Sequence, residues 1–232
     1  MEKKQYDLFL EILRRFYKAG LLEDVILIGS WTTVFYKEYF KGYERLKKYT
    51  LVTRDLDLLV DHPNRVKGNV DIPHLLEDLG FVVSFVGSKG YIHLIHPDLI
   101  VEFLTPERGR GVDGPVPLKK WGMNATALRF LDFLIKDNIT ITLEGIKVVL
   151  PHPVRFAIHK LVVAQRRTNK DKARKDNMAA VDLLSDLIDA GQKDKIRSVY
   201  KEFSFPWQKK IMMALKKLDA EAISDVLESK GG

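Results

Sequence analysis

Apolar positions recur at helical spacing from the start of the chain. In residues 5–19, Leu8, Ile12 and Phe16 form one stripe and Phe9 and Leu13 run beside it, which predicts an amphipathic helix stopped at Gly20. The period then changes. Val25-Ile26-Leu27-Ile28 is a short continuous apolar run ending in Gly29-Ser30, the pattern of a strand buried on both faces and followed by a turn. Residues 31–42 return to helical spacing. Residues 54–60 read as a second strand and 72–79 as a short helix closed by Gly80. Three β-rich runs follow at 81–86, 91–96 and 99–104, with turns at Gly87-Ser88-Lys89-Gly90 and Pro97-Asp98. Residues 105–117, rich in Gly and Pro, read as a loop, and 139–142 with 146–150 as a hairpin about Glu144-Gly145. Pro151-His152-Pro153 marks a boundary, after which helices are expected at 154–167, 174–190, 192–203 and 207–228. The pattern therefore predicts an α+β protein. A mixed sheet flanked by helices occupies residues 1–150, and a helical portion follows over 151–232.

The second strand carries the first candidate chemistry. Side chains alternate along a strand, so Asp55 and Asp57 share one face while Leu56, Leu58 and Val60 share the other. Two neighbouring carboxylates repel each other and resist desolvation, which a divalent cation such as Mg²⁺ would relieve. A wet polar face on an edge strand accounts for the pair equally well. Glu102 is a lone carboxylate in the apolar run Leu99–Leu104. It reads either as an edge residue or ion-pair partner, or as a third ligand if its strand lies beside the first. Three carboxylates on neighbouring strands suit two-metal phosphoryl transfer. Gly29-Ser30, between a buried strand and a helix, would let phosphate oxygens approach backbone N–H groups.

The helical portion offers cations. In residues 156–164, His159 shares a stripe with Arg155 and Arg166 that the spacing places toward solvent. Lys160 falls with Phe156 and Ala164. It reads as a snorkelling side chain or as a buried ammonium that needs an anion, such as a triphosphate. Asp176 reads as the acid that opens a helix, on the stripe of Ala180, Leu183 and Leu187, with Asp182, Asp186 and Asp189 on a solvated face.

Composition narrows the class. The chain has 232 residues, 46% hydrophobic and 30% charged, enough to form an ordered core. No apolar run approaches the roughly 20 residues that span a bilayer, so no membrane partner is expected. Cysteine is absent, which excludes disulfides, thiolate zinc sites and a cysteine nucleophile. The first residues lead into an amphipathic pattern rather than a secretory segment, and a cytoplasmic protein is the simplest reading. A net charge of +7 suits a polyanionic partner, a nucleotide or a tRNA.

Taken together, Gly29, Ser30, Asp55, Asp57 and Glu102 resemble the nucleotidyltransferase superfamily related to DNA polymerase beta. That superfamily has a strand ending in Gly-Ser, a helix, a strand with Asp-x-Asp, and a third acidic residue on a later strand. Within it, the chain is similar to uncharacterised bacterial nucleotidyltransferase-like proteins and to type IV toxin relatives. Two features depart from the pattern. Residues 40–51 form a Lys/Tyr-rich insertion, and the third acid is Glu rather than the commoner Asp. The resemblance implies transfer of a nucleoside monophosphate from an NTP to an acceptor, whether a tRNA, a protein hydroxyl or a small molecule. It implies Mg²⁺ or Mn²⁺ at Asp55, Asp57 and Glu102, with Glu102 as a possible base. Gly29, Ser30 and Arg54 would contact the nucleotide. So would Lys160, Arg167 and Asp176, from the Lys-Leu and basic-Asp pairs of the toxin-type relatives. The alternative is a non-catalytic nucleotide- or RNA-binding module on the same fold.

Overall fold

A computed structural model describes residues 3–40, 53–109, 111 and 114–229. The insertion expected at 40–51 lies almost wholly outside them. The chain divides into two compact units, one ending at Pro151 and one beginning at His152.

The first unit opens with α1 (Lys3–Lys18), which buries Phe9, Ile12, Leu13 and Phe16 as its stripe predicts. Gly20 follows with φ 72°, a left-handed conformation that ends the helix at little cost for a residue without Cβ. Phe9 stacks on Trp31 with ring centroids 4.0 Å apart. The central sheet contains β1 (Ile26–Ile28), β2 (Asp55–Leu59), β3 (Val82–Val86), β4 (Tyr91–Ile95), β5 (Ile100–Pro106), β6 (Val116–Leu118) and β7 (Met123–Leu128). Its path runs β1-β2-β5-β4-β3, and β7 pairs with both β5 and β6. The sheet is mixed: β2, β5 and β7 are parallel, and the other pairings are antiparallel. Helices α2 (Thr32–Tyr39) and α3 (Ile72–Glu77) lie in the connections. A separate hairpin of β8 (Ile139–Leu143) and β9 (Ile146–Leu150) turns at Glu144 and Gly145. Both turn residues have positive φ, as a two-residue turn matched to strand twist requires.

One sheet face is apolar throughout the centre: Leu27, Leu56, Leu58, Val101 and Phe103 are all at most 1% exposed. The opposite face is divided. At one end Ile26, Ile28, Leu59 and Leu104 pack under Leu131 and Leu134 of a short 3-10 turn. At the other end the same face carries Asp55, Asp57 and Glu102.

The second unit comprises α4 (Pro153–Ala164), α5 (Lys170–Asp189), α6 (Lys193–Lys201), α7 (Phe205–Lys217) and α8 (Glu221–Glu228). No described helix is long and apolar enough to cross a membrane.

Several expectations from the pattern are corrected. Residues 105–106 and 116–117, expected in a loop, extend β5 and begin β6, because Pro106 and Pro117 sit where the ladder tolerates them. The strand β7 escaped the apolar pattern altogether. The helix expected over 207–228 is two helices, broken where Asp219 takes φ 51°. Helix α5 begins at Lys170 rather than near 174, because the Asn169 side chain accepts from the Lys172 N–H and caps it. Asp176 is thus mid-helix, not the acid that opens it. Of the stripe expected toward solvent, Arg166 is exposed, but Arg155 is buried and His159 half-buried, since α4 packs against α5, α6 and α7. Arg155 is 3% exposed and is held by both oxygens of Glu202, at 2.6 and 3.0 Å. Asp186 is likewise buried, at 1% exposure, because α5 meets α4, α6 and α8.

Candidate active site

The pairing of β2 with β5 brings the carboxylates of two distant segments together. The register sets Asp57 opposite Glu102 and Asp55 opposite Ile100. Residues paired in register on adjacent strands project to one face, with Cβ atoms about 5 Å apart. Asp55, Asp57 and Glu102 therefore form an acidic corner on one face. All three are half-buried, Asp57 and Glu102 between fully buried neighbours.

On the other side of β2, Asp57 pairs with Ile28, the residue before the Gly29-Ser30 turn. Gly29 has φ +71°, and a methyl group added to it would stand 2.9 Å from the Asp57 carboxyl carbon, overlapping the carboxylate. Glycine is required here twice over, by the left-handed backbone and by the space that Asp57 fills. Ser30 follows, ahead of α2. The first-turn amides of Thr32 and Thr33 are bonded back to the carbonyls of Gly29 and Ser30, and the hydroxyls of the same threonines donate to those carbonyls at 2.8 and 2.7 Å. This double bonding fixes the shape of the turn beside Asp57.

A residue that the sequence pattern did not single out completes the corner. His93 of β4 continues the β4–β5 register to lie opposite Glu102, and its Nε2 stands 3.3 Å from Glu102 Oε2. Asp57, Glu102 and His93 thus form one transverse row over β2, β5 and β4. His93 stands in a run read from the sequence as a strand, but its partner depends on a pairing that no local signal encodes. Arg54 is not brought to this corner: its guanidinium donates to the His96 carbonyl at 2.8 Å.

The remaining expected residues lie in the second unit. Lys160 Nζ donates to Asp176 Oδ1 at 2.7 Å, and the Arg167 guanidinium pairs with Asp176 Oδ2. Lys160 therefore does not snorkel freely: it has a protein anion in Asp176, 5% exposed, which it shares with Arg167. Beside this cluster the Nε2 of His159 is enclosed and has no hydrogen-bond partner. Burial, with the nearby charge of Lys160, pushes its pKa down to about 3.

Carboxylate oxygens are the donors that Mg²⁺ and Mn²⁺ prefer, and the acidic corner consists of them. Gly29 also packs closely against one of the three, Asp57. Among the described residues, no three acidic or histidine side chains are already closed about a single point.

A family model described as nucleotidyltransferase matches residues 8–204, which include the acidic corner as well as α4 and α5. The chain belongs to the nucleotidyltransferase family. It is a nucleotidyltransferase enzyme of the family expected from the order Gly29-Ser30, Asp55-Leu56-Asp57 and Glu102. Similar solved structures are the antibiotic-resistance factor ANT(2'')-Ia in solution (12% identity, 98% of this chain and 91% of that one, TM-score 0.42). A crystal structure of ANT(2'')-Ia in complex with adenylyl-2''-tobramycin is similar at 12% identity, covering 97% and 95%, with TM-score 0.41. An antigenic nucleotidyltransferase-like protein from Paracoccidioides brasiliensis is similar at 14% identity, covering 96% and 93%, with TM-score 0.46. No curated protein matches the sequence.

Proposed function

We propose that this nucleotidyltransferase binds Mg²⁺ or Mn²⁺ at Asp55, Asp57 and Glu102 and transfers a nucleoside monophosphate from an NTP to a hydroxyl acceptor. The observation that carries the proposal is the register of Asp57 with Glu102, with Asp55 on the same face and Gly29 closed on Asp57. When bound, such a cation supplies charge neutralisation at the phosphoryl oxygens. The chain's own residues do the rest. Gly29 and Ser30 present a narrow, side-chain-poor turn beside Asp57, where phosphates can approach the backbone. Glu102 accepts the proton of the acceptor hydroxyl as the new oxygen–phosphorus bond forms and the bond to pyrophosphate breaks. His93 holds one oxygen of Glu102 and so fixes the direction of the other.

The test is incorporation of label from each α-labelled NTP into a cell extract. The wild type should label an acceptor, and the Asp55→Asn/Asp57→Asn variant should not. Equal labelling by the double variant refutes the reading. A second reading, a nucleotide-binding module without transfer, is favoured by Asp176 engaging both Lys160 and Arg167, the cations otherwise assigned to phosphate. It predicts metal-dependent NTP binding by calorimetry with no labelled product.

A further inference from the structure

The last strand on the sheet path, β3, is exposed in an unusual way. Ten large hydrophobic residues are exposed among those described, and four of them, Val82, Val83, Phe85 and Val86, lie in this one five-residue strand. Phe85 is 70% exposed and Val82 61%. Among the described residues, β3 pairs only with β4, so its outer row of backbone N–H and C=O groups faces outward. Natural edge strands are blunted by charge, proline or a bulge. Val82-Val83-Ser84-Phe85-Val86 contains no charge and no proline, and its five residues pair one-to-one with β4, with no bulge.

We propose that β3 is the interface of a symmetric dimer, in which two copies join edge to edge by antiparallel pairing centred on Ser84. Two observations favour a second copy over another occupant. First, the strand is complementary to itself. A twofold axis at Ser84 sets Val82 opposite Val86 and Val83 opposite Phe85, so every cross-strand pair but the central Ser84–Ser84 pair is apolar on both sides. Second, the row Asp57, Glu102, His93 continues through Ser84, the partner of His93 in the β3–β4 register. Pairing at Ser84 therefore merges two sheets into one without disturbing the acidic corner. Seven strand spacings of about 4.8 Å would separate Asp57 from Asp57 of the second copy, roughly 34 Å.

The absence of cysteine allows a direct test. A Ser84→Cys variant of the full chain should be captured as a dimer by a short bismaleimide, because residues facing each other at the axis have Cβ atoms about 5 Å apart. A Ser88→Cys variant is the control. Residues 88 of two such copies would lie eight positions apart, roughly 26 Å, beyond the same reagent. Light scattering should give twice the 26.7 kDa chain mass for the wild type at tens of micromolar. It should give a monomer for Val83→Lys/Phe85→Lys, with the circular dichroism of the folded protein retained because both positions are on the surface. A monomeric wild type, a dimer that survives the double lysine variant, or equal capture at positions 84 and 88 would each overturn the proposal. None of these outcomes depends on the metal site.

Discussion

In the sheet, Asp55, Asp57 and Glu102 gather like charges on one face, drawn together by the β2–β5 register. In the helical unit, a single carboxylate, Asp176, is shared by Lys160 and Arg167 and lies almost wholly buried. The first arrangement concentrates negative charge that a cation can relieve. In the second, one carboxylate holds two cations, and the ionic groups tie α4 to α5. On the proposed function, acidic residues of similar prominence in the sequence serve different ends, binding in one unit and architecture in the other. The contrast can be tested residue by residue.

The largest effect belongs to the acidic corner. Asp55→Asn/Asp57→Asn should reduce nucleotidyl transfer by about 10³-fold or more, equivalent to about 4 kcal/mol of barrier, while the melting temperature stays the same or rises as repulsion is relieved. Asp176→Asn should do the reverse. Leaving Lys160 and Arg167 without their shared anion should cost about 3 kcal/mol of stability, read as a lowered midpoint in urea unfolding. If Asp176→Asn instead unfolds like the wild type, the division between binding and architecture fails.

Gly29→Ala sharpens the comparison within the first unit. A left-handed backbone and a methyl group that overlaps the Asp57 carboxylate should together cost about 2 kcal/mol of stability. The displaced Asp57 should also weaken transfer. His93→Ala should leave the fold intact and lower divalent-cation affinity by about 10-fold to 100-fold, the usual effect of removing a group that orients a ligand. His93→Gln, which can still donate to Glu102, should recover part of it.

The last effect, absent at neutral pH, is acid sensitivity at His159. Its folded pKa of about 3 lies below the ordinary value of 6.5. Above pH 6.5 the histidine is neutral whether folded or unfolded, and it makes no pH-dependent contribution. As pH falls from 6.5 toward 3, only the unfolded chain takes up the proton. Stability is therefore lost, at no more than about 1.4 kcal/mol per pH unit. His159→Leu should flatten that part of the stability curve as measured by urea unfolding at pH 4 to 7.

How far the sequence could be read follows from which forces are local. Alternation alone sets Asp55 and Asp57 on one face, and the apolar run before Gly29 marks a buried strand, because both follow from backbone geometry within a few residues. The meeting of Asp57 with Glu102, and of Glu102 with His93, depends on the order of strands, which no local period encodes. In the helical unit the error had one cause. Arg155 and His159 look solvated on a single-helix pattern, but α4 is surrounded by α5, α6 and α7. Arg155 is buried there because Glu202 receives its guanidinium, and His159 is half-buried by the neighbouring helices. Asn169 is a recognisable cap, and reading it as one would have begun α5 at the right place and moved Asp176 to mid-helix.

The central claim is that the acidic corner, and not the Asp176 cluster of the helical unit, receives the divalent cation. Electron paramagnetic resonance of Mn²⁺ titrated into the protein with an NTP measures this directly. The account predicts that Asp57→Asn lowers Mn²⁺ affinity by at least about 10-fold, while Asp176→Asn, at a temperature where it remains folded, changes it by much less. Unchanged Mn²⁺ binding in Asp57→Asn would contradict it.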